Sequence, residues 1–390
     1  MKQASPPPAP ERERAAGRPV ATSHRASRAR EEYDGPERAP VRVMLVDDSL
    51  VIRSVLEHMI ERSQDFQIVA SVANAREALD FLVHDTVDVV ILDIEMPVMS
   101  GLAALPDILE RGKDARVLIL SSNCEEGGPA AVEALALGAS DTLAKPGRAR
   151  FGGTFSEVLN DRLRRLGHAK RAKRKASEYV RVAEQRHKVE APNPSRDKAL
   201  DCIAVGASTG GIPSMQALLR GLDEEISAPI LLTQHLPDAF IPFFARQLGA
   251  MTSRKVHVAE ADMPVHPNHI YLAPGQGHLT LYRDKAKRVR IRILEGPVES
   301  GCEPSVDPMF SSVAEIYGGR ACAIVLSGMG RDGLHGAREL HGRGIPVLAQ
   351  NPESCVVWGM PGAVVRDGIA SAVLTPDAMA TYLNRWVAER

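Results

Sequence analysis

The chain contains 390 residues with a hydrophobic fraction of 44% and a formal net charge of −1. At about 150 residues per domain, this length predicts two or three domains, and the near-neutral charge excludes a global attraction to nucleic acid or to a membrane surface. No apolar run reaches the about 18 residues of a membrane-spanning helix, so no membrane insertion is expected. The five cysteines are scattered without a C-x-x-C pair, which argues against a disulfide framework or a zinc site. The N-terminus also lacks the apolar core of a signal peptide, and we expect a cytoplasmic protein.

Residues 1–40 contain seven prolines and almost no large apolar side chains. Such a segment cannot bury enough surface to offset its chain entropy, which predicts a disordered N-terminal extension. From residue 41, apolar β-type runs alternate with amphipathic helical patterns, which predicts a parallel, doubly wound sheet. The predicted strands cover residues 41–46, 66–71, 87–92 and 117–120, a short fifth strand ends near residues 143–144, and the predicted closing helix runs from 155 to about 166.

Polar side chains follow the carboxyl ends of these strands, where doubly wound sheets build their sites. They are Asp47, Asp48, Asp93, Ser121 and Lys145. Three converging carboxylates repel one another unless a cation relieves the repulsion, and Mg²⁺ prefers such hard oxygen ligands. A free carboxylate beside Mg²⁺ can attack a phosphoryl group while a lysine and a hydroxyl hold the transferred oxygens.

This segment resembles the receiver domain of bacterial response regulators over about residues 41–168. The resemblance rests on the aspartate pair, Leu92-Asp93-Ile94-Glu95-Met96-Pro97, Ser121 and Lys145-Pro146. It implies that Asp93 accepts the phosphoryl group, that Asp47, Asp48, Asp93 and the Glu95 backbone carbonyl hold Mg²⁺, and that Ser121 and Lys145 are the switch residues. Met99-Ser100-Gly101 departs from the family, in which an aspartate usually precedes the glycine.

Residues 169–198 are expected to form a basic, exposed linker between two domains. From Arg162 to Lys188 there are eleven Lys or Arg residues against two Glu residues, and a charge run followed by a Pro-rich stretch is typical of a linker. Nucleic-acid binding is the alternative, but Tyr179 is the only aromatic residue available there for stacking on bases.

A second α/β alternation begins near Asp201, and its first strand leads into Gly206-Ala207-Ser208-Thr209-Gly210-Gly211. G-x-S-x-G places a serine hydroxyl on a sharp strand-to-helix turn, next to backbone amides that can receive an oxyanion. The alternative is a phosphate-binding turn, since Gly- and Ser-rich helix N-termini also bind phosphate groups.

A base and an orienting acid are available on the same rim. His235 ends a strand expected to lie beside that of Ser208, His278 is a rival base at the end of a later strand, and Asp332 lies in a glycine-rich loop. A serine becomes nucleophilic when an imidazole oriented by a carboxylate takes its proton. Alternatively, the histidine is a hydrogen-bonded structural residue and Asp332 is the N-cap of a helix.

The second half of the chain resembles the catalytic domain of the CheB family of chemotaxis methylesterases over about residues 199–388. The motifs are the serine turn, Gln234-His235-Leu236-Pro237, Leu272-Ala273-Pro274-Gly275 with His278, Pro304-Ser305-Val306-Asp307, Gly328-Met329-Gly330-Arg331-Asp332-Gly333 and Val357-Trp358-Gly359-Met360-Pro361-Gly362. By this resemblance Ser208 is the nucleophile, His235 the general base and then acid, and Asp332 the orienting carboxylate. Thr209 and the Met329 backbone line the oxyanion site, while His278 and Trp358 are structural or rim residues.

The combined resemblance implies a flavodoxin-like receiver and a Rossmann-like methylesterase domain, both doubly wound, with boundaries at 1–40, 41–168, 169–198 and 199–390. It implies hydrolysis of glutamate γ-methyl esters, and deamidation of glutamines, on the cytoplasmic domain of methyl-accepting chemoreceptors. A CheA-type histidine kinase is the implied phosphodonor, with Mg²⁺ for receiver phosphorylation and no cofactor for the esterase. In the family, the unphosphorylated receiver shields the esterase site.

Output domains of other classes are the remaining alternatives. A module that binds a partner without hydrolysis would tolerate loss of Ser208 and His235. A nucleotide-binding domain is disfavoured because residues 206–211 match neither G-x-G-x-x-G nor the Walker pattern. A DNA-binding domain would need a basic helix-turn-helix, which is not apparent after residue 200.

Overall fold

The computed structural model describes residues 39–121, 128–145, 153–186 and 199–388. Almost all of the predicted N-terminal extension, together with Cys124, Pro146 and residues 187–198 of the predicted linker, lies outside these ranges. Within them, no helix combines the length and the apolar character that crossing a membrane would require.

The first sheet has five parallel strands in the order β2-β1-β3-β4-β5. Its strands are β1 (Val41–Val46), β2 (Phe66–Val72), β3 (Val89–Asp93), β4 (Arg116–Ser121) and β5 (Asp141–Ala144). Its helices are α1 (Leu50–Glu61), α2 (Ala75–His84), α3 (Gly101–Arg111), α4 (Gly128–Leu137) and α5 (Gly153–Gly167). This is the doubly wound flavodoxin-like order, and the predicted fold class is confirmed.

Helix capping explains several of these boundaries. The side chains of Ser49, Asn74 and Ser100 accept hydrogen bonds from amides of the first turn of α1, α2 and α3. Each cap satisfies an amide that has no partner within its helix. The strands therefore pass into helices within a few residues, and the polar residues at the strand ends stay on one rim.

The second sheet has seven parallel strands in the order β14-β13-β12-β6-β7-β9-β8. Its strands are β6 (Cys202–Ala207), β7 (Ile230–Gln234), β8 (Lys255–Val258), β9 (His269–Leu272), β12 (Ala321–Val325), β13 (Val347–Gln350) and β14 (Ala372–Leu374). Its helices are α7 (Gly211–Gly221), α8 (Ile241–Gly249), α9 (Val306–Tyr317), α10 (Leu334–Gly342), α11 (Met360–Arg366) and α12 (Pro376–Ala388). Strands β6, β7 and β12 are buried along their whole length, as expected for the centre of a sheet covered on both faces.

Three features of this half were not predicted. Strands β8 and β14 are short and partly exposed, so they carry little apolar signal. An antiparallel hairpin of β10 (His278–Arg283) and β11 (Val289–Leu294) stands apart from the parallel sheet. The alternation of apolar and polar residues in VRIRIL is the period-two pattern that could have revealed the hairpin.

The predicted linker begins as a helix, α6 (Ala169–Arg186), and is not wholly exposed. Ala176 and Val180 are buried in a small apolar cluster with Cys355 and Trp358. Lys, Arg, Ala and Glu are strong helix formers, and the two apolar residues lie four positions apart on one face. The domain boundaries themselves stay predictions.

One apolar cluster extends from the first sheet to the second. It includes Leu135 of α4 and Ala139 on one side, and Leu236 and Phe240 on the other. Helix α4 contacts α7, α8 and the short 3-10 turn Asp238–Phe240. The α4–β5 face of the first sheet therefore packs against the strand ends of the second.

Candidate functional site

Ser208 lies on the turn between β6 and α7, as the G-x-S-x-G motif predicts. Its backbone N–H donates to the Ser327 carbonyl at 3.0 Å, and its carbonyl accepts from Gly211 N at 2.8 Å. Gly210 has φ of 72°, and a Cβ there would lie 2.3 Å from Val356 Cβ. Only glycine tolerates this combination of left-handed backbone and close packing, so the turn holds the half-buried Ser208 in one position.

His235 and Asp332 form a hydrogen-bonded pair beside this turn. The Nε2 atom of His235 lies 2.7 Å from Asp332 Oδ2. His235 follows β7 and Asp332 follows β12, and these two strands flank β6 in the sheet. Three adjacent strand ends therefore supply a serine, an imidazole and a carboxylate to one rim.

Two further donors fix the Asp332 carboxylate. Ser305 Oγ donates to Oδ1 at 2.6 Å, and Val306 N donates to Oδ2 at 2.8 Å. Burial alone raises the pKa of Asp332, but these hydrogen bonds and that from His235 lower it to about 2. Asp332 is thus ionised at neutral pH, and it holds His235 in the tautomer that carries hydrogen on Nε2. The Nδ1 atom then carries the lone pair that a general base needs.

Ser208 Oγ makes no hydrogen bond within the part of the chain that the structure describes. Catalytic hydrogen bonds are often long before substrate binds, so the lack of a hydrogen bond between Ser208 and His235 does not rule out His235 as the base. The three predicted residues are brought to one site, and their catalytic roles stay predictions.

The rival base, His278, is buried in a different environment. Its Nδ1 accepts from Ser305 N at 3.0 Å, and its Nε2 lies 2.9 Å from the Gly296 carbonyl. Because one ring nitrogen accepts and the other donates, the imidazole is neutral and fully bonded. Trp358 is likewise structural, since its indole N–H donates to the Gln350 carbonyl at 2.9 Å.

The side chains of Thr209 and Met329 face the first sheet. Thr209 Oγ1 donates to Asp141 Oδ2 at 2.9 Å, and the neighbouring Gly210 N donates to the Ser140 carbonyl at 3.1 Å. The Met329 side chain packs against the apolar cluster of the first sheet. Because the Thr209 hydroxyl donates to Asp141, only the backbone N–H groups of Thr209 and Met329 are left to bind an oxyanion. That oxyanion role stays a prediction.

The first sheet closes the space over the serine. A cavity of only about 10 Å³ remains between the two halves, lined on one side by Ser140 and Asp141 and on the other by Ser208, Thr209 and His235. A cavity of this size holds at most a single water molecule. The first sheet therefore narrows the approach to Ser208.

The predicted phosphorylation residues also come together, at the carboxyl ends of β1, β3, β4 and β5. Lys145 Nζ lies 2.8 Å from Asp47 Oδ2 and 2.6 Å from Asp93 Oδ2. Asp47, Asp93 and Ser121 are buried, whereas Asp48 is exposed. Ser121 Oγ is buried and has no hydrogen-bond partner among the described residues, which leaves it available to an incoming oxygen.

The oxygen donors of this site fit a divalent cation. One carboxylate oxygen each from Asp47, Asp48 and Asp93 lies within 4.8 Å of the others, and such hard donors suit Mg²⁺. Burial raises the pKa of the Asp93 carboxyl to about 6, although the Lys145 ammonium opposes this rise. The positive charge of Lys145 alone is therefore too small to balance three ionised carboxylates. Glu95 N donates to Asp93 Oδ1 at 3.2 Å, which keeps the Glu95 backbone beside the cluster.

Sequence reasoning missed three residues at the esterase site. The motif that contains Ser305 does not indicate that its hydroxyl donates to Asp332. Nothing in the local sequence marks Asp141 as the partner of Thr209. Cys302 has its Sγ within 4.8 Å of ligand atoms of His235 and Asp332. No local pattern marks these contacts, because the partners are separated by 27 to 68 residues in the chain.

Both halves of the chain match known families and proteins. The family profile described as CheB methylesterase matches residues 203–383, and that described as response regulator receiver domain matches residues 43–151. A Caulobacter vibrioides protein named protein-glutamate methylesterase/protein-glutamine glutaminase 2 is 38% identical over 345 residues, which are 88% of this chain and 98% of that protein. A Rhodospirillum rubrum protein named protein-glutamate methylesterase/protein-glutamine glutaminase 1 is 37% identical over 368 residues, covering 89% and 95% of the two chains.

Solved structures match each half separately. The CheB methylesterase catalytic domain of Thermotoga maritima is 33% identical and covers 47% of this chain and 97% of its own, with a TM-score of 0.46. The response regulator domain of Thermotoga maritima CheB is 33% identical and covers 33% of this chain and 98% of its own, with a TM-score of 0.30. Because the identity to the full-length relatives extends over nearly their whole length, the chain belongs to the CheB methylesterase family.

Proposed function

We propose that the chain is a phosphorylation-regulated protein-glutamate methylesterase that acts on chemoreceptors in chemotactic adaptation. It hydrolyses glutamate γ-methyl esters on the receptor's cytoplasmic domain and converts receptor glutamines to glutamate by the same chemistry. The observation that carries this proposal is the His235–Asp332 hydrogen bond of 2.7 Å on strands flanking that of Ser208.

The reaction follows from the protonation states of this pair. Ser208 Oγ attacks the ester carbonyl while the Nδ1 lone pair of His235 takes the serine proton. His235 returns that proton to the leaving methoxide, so methanol departs and an acyl-serine remains. Water, deprotonated by the same nitrogen, then hydrolyses the acyl-enzyme. Asp332 stabilises the transient imidazolium through the ionised carboxylate that Ser305 and Val306 hold in place.

The contact between the two halves supports control by the first sheet. Ser140 and Asp141 bond to residues 210 and 209, next to Ser208, which supports a role for this contact in limiting the approach of a receptor glutamate. We infer that phosphorylation of Asp93 rearranges Lys145 and Ser121 and weakens this contact. A phosphoryl group adds a charge of about −1.5 to −2 at pH 7, which competes directly for the Lys145 ammonium.

Asp47, Asp48, Asp93 and the Glu95 carbonyl would hold Mg²⁺ during this step. The ion would supply the charge that neutralises phosphoryl oxygens. A CheA-type histidine kinase is the proposed phosphodonor, and the cytoplasm the proposed location. The esterase step needs no cofactor in this mechanism.

The test is methanol release from a methylated receptor cytoplasmic fragment, with and without acetyl phosphate and Mg²⁺. We expect release to rise with the phosphodonor and to disappear in Ser208→Ala, while Ser253→Ala, at an exposed loop serine, keeps the wild-type rate. Asp93→Asn should keep the basal rate and lose the response, with the exposed Asp80→Asn as its control.

Other outcomes separate the alternatives. Release that ignores the phosphodonor would retain the esterase and reject control through Asp93. No release from several methylated receptors by a folded protein would favour a partner-binding output domain that does not hydrolyse esters.

A further inference from the structure

A thiol lies beside the His235–Asp332 pair and has no part in the mechanism above. The Cys302 Sγ, one ring nitrogen of His235 and one carboxylate oxygen of Asp332 all lie within 4.8 Å of one another. Cys302 and His235 are half-buried, whereas Asp332 is buried. A nitrogen, a sulfur and an oxygen donor are together the ligand types that bind Zn²⁺.

We propose that His235, Cys302 and Asp332 form an inhibitory binding site for a thiophilic divalent cation such as Zn²⁺. The inference rests on the proposed esterase function, because the same imidazole serves as the base. It departs from the expectation, drawn from cysteine spacing, that the chain has no zinc site. Cysteine spacing carries no signal of such a site, because the three ligands come from separate segments around positions 235, 302 and 332.

Only small movements of the three ligand atoms would bring them to the distances of a zinc site. In a tetrahedral zinc site with bonds of about 2.0–2.3 Å, the ligand atoms lie about 3.3–3.6 Å apart. The His235–Asp332 distance of 2.7 Å must increase slightly, and the sulfur, within 4.8 Å of both partners, must approach by no more than about 1.5 Å. Half-buried side chains on loops can make such movements by rotation about χ angles.

Supporting hydrogen bonds already orient two of the ligands. Ser305 Oγ and Val306 N fix the Asp332 carboxylate. Ser300 Oγ accepts from Cys302 N at 3.2 Å and lies 3.1 Å from Ser305 Oγ, so the thiol loop and the carboxylate share one network. Such outer contacts are what hold metal ligands in position.

Binding of the ion changes the protonation of two of the ligands. A divalent cation would displace the thiol proton, which is released to solvent. The proton on His235 moves from Nε2 to Nδ1, so the ring stays neutral and one proton is released per ion bound.

Inhibition follows from the loss of the base. Once His235 coordinates the ion through Nε2, Nδ1 carries the hydrogen and has no lone pair for Ser208. The hydrogen bond to Asp332 is also replaced by the metal. The enzyme is then reversibly inactive, and a chelator restores it.

Two measurements on the full chain test this site. The first is methanol release over a Zn²⁺ titration, in wild type, Cys302→Ser and His269→Ala. The second is Co²⁺ binding followed by the near-ultraviolet charge-transfer absorption of a cobalt–thiolate bond. His269→Ala is the matched control, because it removes an imidazole from the separate group of His257, His266 and His269.

We expect Zn²⁺ to inhibit wild type and His269→Ala alike, with reversal by a chelator. Relative to its own rate without Zn²⁺, Cys302→Ser should require at least about tenfold more Zn²⁺ for the same inhibition, the lower end of the loss caused by removing even an outer-shell partner. The cobalt–thiolate absorption should be present in wild type and lost in Cys302→Ser.

Equal inhibition of wild type and Cys302→Ser, or a cobalt–thiolate absorption that survives in Cys302→Ser, would overturn the proposal. Absence of both inhibition and absorption in wild type would overturn it as well. The absorption does not depend on turnover. If the protein binds Co²⁺ through Cys302 but releases no methanol, the metal site is retained and the proposed function is rejected.

Discussion

The hydrogen bond from Thr209 Oγ1 to Asp141 Oδ2 holds the first sheet over Ser208, and Asp141→Ala should weaken that hold. A hydrogen bond to a charged group contributes about 1.5–3 kcal/mol. The Asp141 side chain is 15% exposed, so water can replace part of the bond and the lower figure applies. About 1.5 kcal/mol shifts the closed-to-open equilibrium about tenfold. When the open form is a minor population, the basal rate rises by the same factor.

The assay is methanol release from a methylated receptor fragment, measured without and with acetyl phosphate. We expect Asp141→Ala to raise the unphosphorylated rate about tenfold and to leave the phosphorylated rate near that of wild type. Asp107→Ala, at an exposed position on α3, should change neither rate. The reasoning is refuted if a folded Asp141→Ala protein has the basal rate of wild type, because the contact would then not limit access to Ser208.

Three further predictions concern Asp332 and helix α6. Asp332→Asn should lower the methanol-release rate by about 10³–10⁴-fold without loss of fold, because an amide no longer selects the required His235 tautomer; steady-state kinetics with circular dichroism checks both. The pKa of Asp332 is lowered to about 2, below the about 3.9 of an unfolded chain. Its ionisation thus adds stability above about pH 4 that is lost as the pH falls towards 2, and the difference in unfolding free energy between wild type and Asp332→Asn should shrink over that range in denaturant titrations. Ala176→Glu should detach α6 from Cys355 and Trp358, since it places a charge among buried apolar side chains. Trypsin should cleave this helix faster than in Glu178→Ala, which alters an exposed position of the same helix.

The sheets and the rim residues could be predicted because their signals are local. Each buried strand is an apolar run, and Asp47, Asp93, Ser208 and His235 follow such runs directly. Parallel strands bring their carboxyl ends to one edge, so adjacency in the sheet follows from the alternation of strands and helices. The structure confirms the fold class and places the predicted triad residues together.

The remaining features depend on partners that are distant in the chain. The burial of Ala176 and Val180 requires Cys355 and Trp358, which lie 179 and 178 positions further on, respectively. The choice between His235 and His278 depends on which ring reaches Asp332 and which reaches Ser305 N. The order of residues along the chain does not indicate which of these distant residues pack together or bond to each other.

The placement of the site on three central strands has a consequence for how the protein responds to mild denaturation. The strands β12, β6 and β7 are paired on both sides and fully buried, so they open only with the whole sheet. The contact that covers Ser208 relies instead on two hydrogen bonds, the packing of Met329 and apolar contacts between side chains of the two halves, and we expect it to open at lower cost. In a urea titration, the unphosphorylated enzyme should therefore gain activity before it loses it.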